Sequence, residues 1–455
     1  MLIQFSVGNY RSFKEPVTLS MVAAKIGSKD KEIDANNVFE VDKDLSLLTS
    51  AAIYGANASG KSNLVAAIRF MRRFVLSSSR DTQAQDPIIV ERFRLSTETE
   101  KKPSFFEMVF RAEGKQYRYG FEVDSRHVVS EWLFHVPKVR EARLFERKGA
   151  AIRLGPGFRE GRGLEERTRP NALFLSVAAQ FNGAIANSIL RWFYGIGVTF
   201  GLDDGDDWAE TLVGILQRST RHQVVSFIKG LDLGIIDVEV AASKVTLPSL
   251  PEEPGFYERK ESRSATERFV DQVDADVFAV KTLHWKYDAQ GKPTAMEQFD
   301  LEQNESEGTK KLFALSLPVI LALREGRLMI VDELDARLHP LIICEIIKLF
   351  NSRITNPHHA QLIFTTHDTN LLSSGLFRRD QIWFTEKSVQ GATTLYSLVE
   401  YRLDNNAKVR NDASYERNYI EGRYGAIPFI GDLRQLIVGN GDVKQSRENR
   451  ESTRV

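Results

Sequence analysis

The chain has 455 residues and is 42% hydrophobic and 27% charged, an ordinary globular balance that can bury a sizeable core. This length predicts either two to three domains or one core that carries insertions. Lys and Arg total 61, as do Asp and Glu, and this balance argues against a protein that coats nucleic acid. The balance does not exclude a local basic patch.

Cysteine content and hydropathy narrow the class of protein further. One thiol, Cys344, excludes internal disulfides and a cysteine-based zinc site. The N-terminal residues alternate like a strand and lack the regions of a signal peptide. Since no run of about 18 apolar residues occurs, we expect a cytoplasmic protein with no membrane segment.

The N-terminal third of the chain predicts strands, one helix and then more strands. Residues 2–7 and 17–22 are expected to pair as a hairpin, and the apolar run 47–54 is expected to form one strand. Apolar residues at helical spacing predict a helix over residues 62–75. Over residues 88–153 the period changes to two, which predicts an antiparallel meander.

The rest of the chain has a different pattern. Residues 156–168 are rich in Gly, Arg and Glu and predict an exposed loop, and residues 171–230 show helical spacing, most clearly at 184–194 and 208–217. Residues 248–266 are rich in proline and charge and predict a mobile loop. Strands return near residues 278–287.

Residues 55–62, Gly-Ala-Asn-Ala-Ser-Gly-Lys-Ser, fit the Walker A pattern of a phosphate-binding P-loop, between a predicted strand and a predicted helix. Glycines let the backbone curl so that amide N–H groups point at phosphate oxygens, and the helix N-terminus adds its positive end. Lys61 is expected to reach the β- and γ-phosphates of ATP, and the Ser62 hydroxyl to bind Mg²⁺. The residues expected to contact the nucleotide are Gly55, Ala56, Asn57, Ala58, Ser59, Gly60, Lys61, Ser62 and Asn63.

A second motif, at residues 328–333, consists of four apolar residues followed by Asp332 and Glu333. This pattern predicts a buried Walker B strand whose carboxyl end opens into the site. Asp332 would hold Mg²⁺ and Glu333 would polarise the attacking water as general base. Alone, the pattern also fits a strand end with solvated acids, and the P-loop upstream favours the catalytic interpretation.

Two further motifs lie on either side of that strand. Ser306 and Gly308 stand where a helix is predicted to begin, which favours a second anion site. His367 ends a second predicted apolar strand, which begins at Gln361, and by itself such a histidine is more often structural than functional.

In this order the motifs resemble the ABC-type ATPase fold of SMC, RecF and Rad50-like proteins. The resemblance implies that Ser306 and Gly308 form the signature motif and that residues 335–340 form the D-loop, with Asp335 beside the nucleotide. It also implies that His367 is the switch histidine. The Q-loop glutamine of that fold is left unassigned.

Closer detail narrows the resemblance to one bacterial family. Residues 9–13 (Asn-Tyr-Arg-Ser-Phe), 333–340 and 422–428, together with the P-loop, look like the AAA15 family. These are stand-alone ABC-type ATPases often linked to phage defence or abortive infection. The resemblance extends to about residue 432, and it adds Arg11 to the expected nucleotide contacts.

The fold class expected from these observations is α/β. It comprises an ABC-type P-loop ATPase head, in which a mixed or parallel sheet has flanking helices, with an antiparallel β-meander and a helical insertion. The expected division is an N-terminal ATPase lobe at 1–155, a mostly helical insertion with a mobile loop at 156–275, a C-terminal ATPase lobe at 276–438 and a disordered tail at 439–455.

The resemblance also implies a homodimer. In this fold the signature motif closes over the γ-phosphate held by the P-loop of a second subunit, so one P-loop and one signature motif complete a site only between two copies. Two ATP molecules would be sandwiched at the interface. The sequence does not exclude a higher oligomer. The segment between residues 61 and 306 lacks sustained heptads, which predicts a compact insertion and no coiled-coil arm.

Two functions from different classes remain. One is an ATP-driven switch that controls a separately encoded effector protein in anti-phage defence, which the resemblance implies. The alternative is a RecF-like or Rad50-like repair ATPase that binds DNA through a basic surface, with arginines around 72–80 and 159–169 as candidates. A nuclease of the overcoming-lysogenization type would need an Asp-x-Asp pair after His367 to hold its metal, and the sequence has none there. The large insertion argues against a transporter ATPase.

Overall fold

The computed structural model describes residues 1–137, 140–200, 211, 218–231, 233–245, 275–402, 409–410 and 413–428. The strands are β1 Leu2–Gly8, β2 Val17–Ser20, β3 Val38–Asp42, β4 Leu45–Leu48, β5 Ser50–Tyr54, β6 Ser104–Ala112, β7 Lys115–Val123, β8 Val128–Val136, β9 Ala142–Lys148, β10 Ala151–Leu154, β11 Gly197–Phe200, β12 Asp237–Val245, β13 Ala275–Tyr287, β14 Pro293–Asp300, β15 Leu328–Asp332, β16 Gln361–Thr365, β17 Ile382–Lys387 and β18 Thr393–Ser397. The helices are α1 Lys31–Asn37, α2 Lys61–Ser77, α3 Phe174–Gln180, α4 Ala184–Tyr194, α5 Arg218–Gly230, α6 Leu301–Asn304, α7 Glu307–Glu325, α8 Pro340–Phe350 and α9 Tyr415–Ile420. Short 3₁₀ helices span Thr97–Thr99, Arg159–Gly161, Thr369–Leu372 and Arg379–Gln381. Within these ranges, no helix has both the length and the apolar character that a membrane crossing requires.

A mostly parallel sheet carries the predicted motifs. Its strand order is β11-β15-β16-β5-β17-β18, and the edge strand β18 alone runs antiparallel to its neighbour. The strands β5, β15 and β16 are buried along their whole length. Strands of a parallel sheet are covered on both faces, which is why each of these three contains an uninterrupted apolar stretch in the sequence.

Alternate residues of these strands enter two different hydrophobic cores. Ala51 and Ile53 of β5 join the core that contains α2, α3, α4 and the meander. Ala52 and Tyr54 point to the opposite face and join the core that contains α7 and α8. The period of two in β5 thereby places helices on both sides of the sheet.

The second large sheet is antiparallel, with the order β10-β9-β8-β7-β6-β1-β2. It confirms the predicted hairpin of β1 and β2 and the predicted meander of β6 to β10. Because β1 pairs with β6, the N-terminal hairpin extends the meander into one sheet. The fold class is α/β, as the sequence predicts.

The prediction of one strand over residues 47–54 is wrong. β4 pairs with β3, whereas β5 enters the parallel sheet, so the chain changes sheets at Thr49. The Thr49 N–H donates to Asn37 O at 3.0 Å, and its hydroxyl donates to Asn351 Oδ1 at 2.6 Å. These buried hydrogen bonds fix the crossing point between the two sheets.

The prediction of an exposed loop over residues 156–168 is confirmed for seven of the 13 residues, and it is wrong for the others, which are buried or half-buried. Phe158 and Leu164 are buried in the meander core. The Glu160 carboxylate accepts hydrogen bonds from the N–H groups of Ile185 and Ala186 at 3.0 and 2.8 Å. It thereby satisfies the free donors at the start of α4. This glycine- and charge-rich segment therefore caps the start of α4 and packs against the meander core.

The helical pattern predicted for residues 171–230 is confirmed at α3, α4 and α5 but is wrong at β11. That strand pairs in parallel with β15 and forms the edge of the parallel sheet. The predicted helix 208–217, except Thr211, lies outside the described residues, as do the loop 248–266 and the tail 439–455.

A third, antiparallel sheet has the order β12-β13-β14 and leads through α6 into α7. It confirms the strand predicted near residues 278–287. The segment predicted to be a mostly helical insertion therefore contains β11, β12 and the start of β13. The proposed domain boundaries stay predictions.

Candidate nucleotide-binding and catalytic site

The P-loop runs from the end of β5 to the start of α2 and lies against β17 and β18. Ser59 Oγ and Thr385 Oγ1 share a hydrogen bond of 2.6 Å, and Thr393 Oγ1 donates to Ser59 O at 2.7 Å. Gly60 has φ +114°, a conformation that favours glycine, and a Cβ there would lie 2.4 Å from Thr393 Oγ1. At Gly55 a Cβ would lie 2.4 Å from Thr385 Oγ1. The two glycines therefore allow the loop to fold tightly against the sheet.

Lys61 is the first residue of α2 and is buried. Its ammonium donates to Gly55 O at 2.7 Å and to Ala56 O at 3.1 Å. Burial lowers the pKa of Lys61 to about 8, while the negative charges of Asp332 and Glu333 act to raise it. The carboxylates of the Walker B motif therefore lie within electrostatic range of the P-loop lysine.

The end of β15 holds the two carboxylates through a threonine of the neighbouring strand. Thr365 Oγ1 donates to Asp332 Oδ1 at 2.6 Å and accepts from the Glu333 N–H at 2.7 Å. Asp332 is buried, and Glu333 has φ +51°, so the chain leaves the sheet at this residue. In open α/β sheets, ligands bind outside the carboxyl ends of parallel strands, which is where these carboxylates lie.

His367 and Asp335 lie beside each other at the next strand end. The His367 N–H donates to Asp335 Oδ2 at 3.1 Å. Burial, and then the positive charge of Lys61, lower the pKa of His367, which favours the neutral imidazole. The other carboxylate oxygen, Asp335 Oδ1, is buried and has no hydrogen-bond partner among the described residues. An unpaired buried acceptor beside these charges fits a polar ligand.

The predicted signature residues lie at the start of α7, where Ser306 Oγ accepts from the Thr309 N–H at 3.1 Å. A Cβ on Gly308 would lie 2.7 Å from the backbone oxygen of Arg337, so this turn packs directly on the predicted D-loop. In the described part of this single chain, Ser306 makes no hydrogen bond to residues 55–62.

Arg11 and Asn63 lie together near the start of α2. They line a cavity of about 320 Å³ together with Glu91, Arg92, Arg94 and Leu95. Arg11 forms an ion pair with Glu91 at 2.7 Å, and Asn63 Nδ2 donates to Ser12 Oγ at 2.8 Å. Both residues are thus near the P-loop helix, and their contact with a nucleotide stays a prediction.

The residues present fit Mg²⁺ and ATP. The N-terminus of α2 has no acidic residue in its first turn, so it suits an anion. Ser62 and Asp332 offer the hard oxygen ligands that Mg²⁺ prefers. Lys61, Glu333, Asp335 and His367 form one electrostatic group around this position.

Sequence reasoning missed four residues that support the site. These residues are Lys311, Thr365, Thr385 and Thr393. Each acts through a hydrogen bond to a distant segment, and such pairings leave no local pattern. The polar Thr-Thr pair at the end of the apolar β16 is the one signal that could have been used for Thr365.

Comparison with known proteins shows the family of the chain. Residues 50–373 match the model of a family described as "AAA domain, putative AbiEii toxin, Type IV TA system", and this match covers more than half of the chain. No curated protein matches the chain. A solved structure described as "Structure of the recombination mediator protein RecF-ATP in RecFOR pathway" aligns at 14% identity with a TM-score of 0.36, covering 87% of this chain and 97% of that chain.

Proposed function

Since the chain belongs to this AAA-domain family and has an α/β fold with a P-loop, we propose that it is an ABC-type ATPase that hydrolyses ATP as a dimeric switch. The observation that carries the proposal is the position of Asp332 and Glu333 within electrostatic range of Lys61. A buried lysine on a glycine loop, opposite two carboxylates at a strand end, is the arrangement that phosphoryl transfer to water requires.

Each residue has a distinct task in this proposal. The amides of the P-loop and the ammonium of Lys61 bind the phosphates, and Ser62 and Asp332 hold Mg²⁺. Bound Mg²⁺-ATP supplies the γ-phosphoryl group. Glu333 accepts a proton from the attacking water. Thr365 fixes the carboxylate of Asp332 and the backbone of Glu333 at once.

The neutral imidazole of His367 can donate or accept one hydrogen bond toward the γ-phosphate and the attacking water. The Asp335 carboxylate accepts a hydrogen bond from the backbone N–H of His367 and so positions the histidine. Because Lys61 helps to keep the imidazole neutral, the ammonium and the imidazole do not compete as cations.

ATPase assays test this assignment. Lys61→Ala is expected to abolish ATP binding or hydrolysis, because it removes the cation at the phosphates. Glu333→Gln is expected to bind ATP and to lower kcat by at least about 100-fold, because the amide cannot accept the proton. Wild-type turnover by both variants, with Mg²⁺ present, would show that the site is elsewhere.

The switch would act between two copies of the chain. Ser306 and Gly308 lie at a helix start, where free N–H groups suit an anion. Within the described part of one chain, Ser306 makes no hydrogen bond to the P-loop, and α7 and α2 pack in different cores, which supports a site completed by the partner. We propose a homodimer with ATP at the interface, a separately encoded effector and a role in anti-phage defence. The family description, which mentions a toxin–antitoxin system, and the resemblance to AAA15 proteins support that role.

A DNA-binding repair ATPase is the competing function, and no specific observation favours it. Among the arginines named for a basic surface, Arg80 pairs with Asp81 at 2.6 Å, and Arg169 donates to the backbone oxygen of Ser79 at 3.1 Å. A steep loss of DNA affinity with salt would support this alternative.

A further inference from the structure

Lys311 is a buried cation that joins the signature helix to the end of the Walker B strand. It lies in the second turn of α7 and its side chain is fully buried. Its ammonium donates to the backbone oxygens of Glu333 and Ala336, each at 2.8 Å, and more weakly to that of Leu334 at 3.4 Å. A buried ammonium is tolerated when its donors are satisfied, and three carbonyls match its three N–H groups.

The segment that receives these hydrogen bonds has an unusual backbone. Glu333 and Arg337 have φ values of +51° and +64°, in the left-handed region that non-glycine residues rarely adopt. Such a conformation persists only where the surroundings hold it. Lys311 supplies that support from α7, since its three acceptors are all backbone carbonyls between Glu333 and Ala336.

Two further contacts join the same pair of elements. Arg337 forms an ion pair with Glu307 at 2.8 Å, and the Arg337 backbone oxygen packs on Gly308. The first turns of α7 and the segment after β15 are therefore tied by a buried cation, an ion pair and a glycine contact. Displacement of one element displaces the other.

We propose that Lys311 is a positioning residue that couples the two nucleotide sites of the dimer. This inference rests on the proposed function, in which Ser306 engages ATP bound to the partner and Glu333 acts on ATP bound to its own chain. When α7 contacts the ATP bound to the partner, Lys311 transmits the resulting movement of α7 to the backbone of Glu333. ATP at one site thereby places the general base at the other site, and hydrolysis is cooperative in ATP concentration.

Steady-state kinetics of four proteins test this coupling: wild type, Lys311→Met, Lys311→Arg and the control Lys348→Met. Lys348 lies on α8, where its half-exposed side chain pairs with Glu345 at 2.7 Å. We expect wild type and Lys348→Met to show sigmoidal rates. Lys311→Met is expected to lower kcat about 10- to 100-fold, as misplacement of a reacting group does. Its Hill coefficient should fall to about 1 while its Kd for ATP stays within about twofold. Lys311→Arg should recover part of both losses.

Each result decides the matter. Wild-type kcat and a wild-type Hill coefficient in Lys311→Met would overturn the coupling and leave the proposed ATPase intact. A hyperbolic wild type would also overturn it, whereas a wild type that does not hydrolyse ATP overturns the proposed function as well. If Lys311→Met fails to fold, Lys311→Gln takes its place, since it keeps a polar side chain but removes the ammonium that donates to Glu333 O and Ala336 O, and a wild-type Hill coefficient in that variant would equally contradict the coupling.

Discussion

At the scale of single residues, Lys61 connects the fold to phosphate chemistry. Burial lowers its pKa to about 8 while its ammonium donates to Gly55 O and Ala56 O. Phosphate groups favour the charged form of a lysine and so raise its pKa on binding. The protein should therefore take up a fraction of a proton when it binds ATP above about pH 8.

This proton uptake gives the first prediction. The affinity for ATP should fall as pH rises above about 8, because the deprotonated form of Lys61 must first regain its proton. Calorimetric titration at about pH 8.5, in two buffers of different ionisation enthalpy, measures the uptake directly. Lys61→Arg is the matched variant, since a guanidinium stays charged and should remove the difference between buffers. Equal enthalpies for wild type in both buffers would contradict the assignment.

Thr365 gives a second prediction. Thr365→Val removes the hydroxyl that donates to Asp332 and accepts from the Glu333 N–H, and it leaves the buried Asp332 Oδ1 and the partly buried Glu333 N–H without this partner. We expect kcat to fall at least tenfold and the free energy of unfolding to fall by about 1 to 3 kcal/mol. ATP binding should persist, because the P-loop is untouched. Kinetics and chemical denaturation measure both effects.

The control for this variant is Thr199→Val, which removes a buried hydroxyl from β11 in the same sheet. It should keep wild-type kcat. If Thr365→Val matches Thr199→Val in turnover, Thr365 has no part in positioning the carboxylates.

The sequence predicts the P-loop and Walker B residues but not the residues that support them. Residues 55–62 are specified by one contiguous pattern, and Asp332 and Glu333 by an apolar run that ends in acids. Lys311 and Thr365 act across long stretches of chain, through a buried ammonium and a shared hydroxyl. Their roles depend on which strand lies beside which, and periodicity does not contain that information.

At the scale of elements, the errors share one physical cause. Residues 47–54 are mostly apolar, with Thr49 and Ser50 as the polar exceptions, and their periodicity does not show that Thr49 leaves one sheet for another. Residues 156–168 have the composition of a loop, yet Phe158 and Leu164 are buried in the meander core while seven of the 13 residues stay exposed. The strand β11 has only four residues, and pairing with β15 determines its conformation. Long, regular elements such as α2 and the meander were predicted because their own patterns suffice.

The contact between α7 and the D-loop gives the third prediction. Gly308→Ala would place a Cβ 2.7 Å from the Arg337 backbone oxygen, which cannot rotate away as a side chain can. We expect the turn to shift and kcat to fall by at least tenfold, with overpacking costing about 1 to 3 kcal/mol of stability. Gly230→Ala is the control, since a Cβ there meets nothing within 4 Å. Equal turnover in the two variants would argue against a role for this contact.

At the scale of the whole molecule, the parallel sheet separates two cores and carries its motifs at the carboxyl ends of its strands. The P-loop follows β5, the two carboxylates lie at the end of β15, and His367 follows β16. Three neighbouring strands therefore supply the site. The signature turn belongs to α7, on the face opposite to α2. This separation within one chain is the structural reason to expect a second copy.

A separate effector is the fourth prediction at this scale. Glu333→Gln, which should hold ATP without turnover, is used as bait with ATP in an extract of the native host, and Lys61→Ala serves as the control bait. We expect a small protein encoded nearby to be retained by Glu333→Gln and lost by Lys61→Ala. Retention of DNA alone, released by moderate salt, would favour the repair ATPase instead.

The most direct test of the central claim is the mass of the Glu333→Gln protein with and without Mg²⁺-ATP, measured by light scattering after size exclusion. One chain has a mass of 51.6 kDa. We expect ATP to shift the protein from that mass to twice that mass, and we expect the addition of Lys61→Ala to the same protein to prevent the shift. A mass of one chain under all conditions would contradict a nucleotide site shared between two copies.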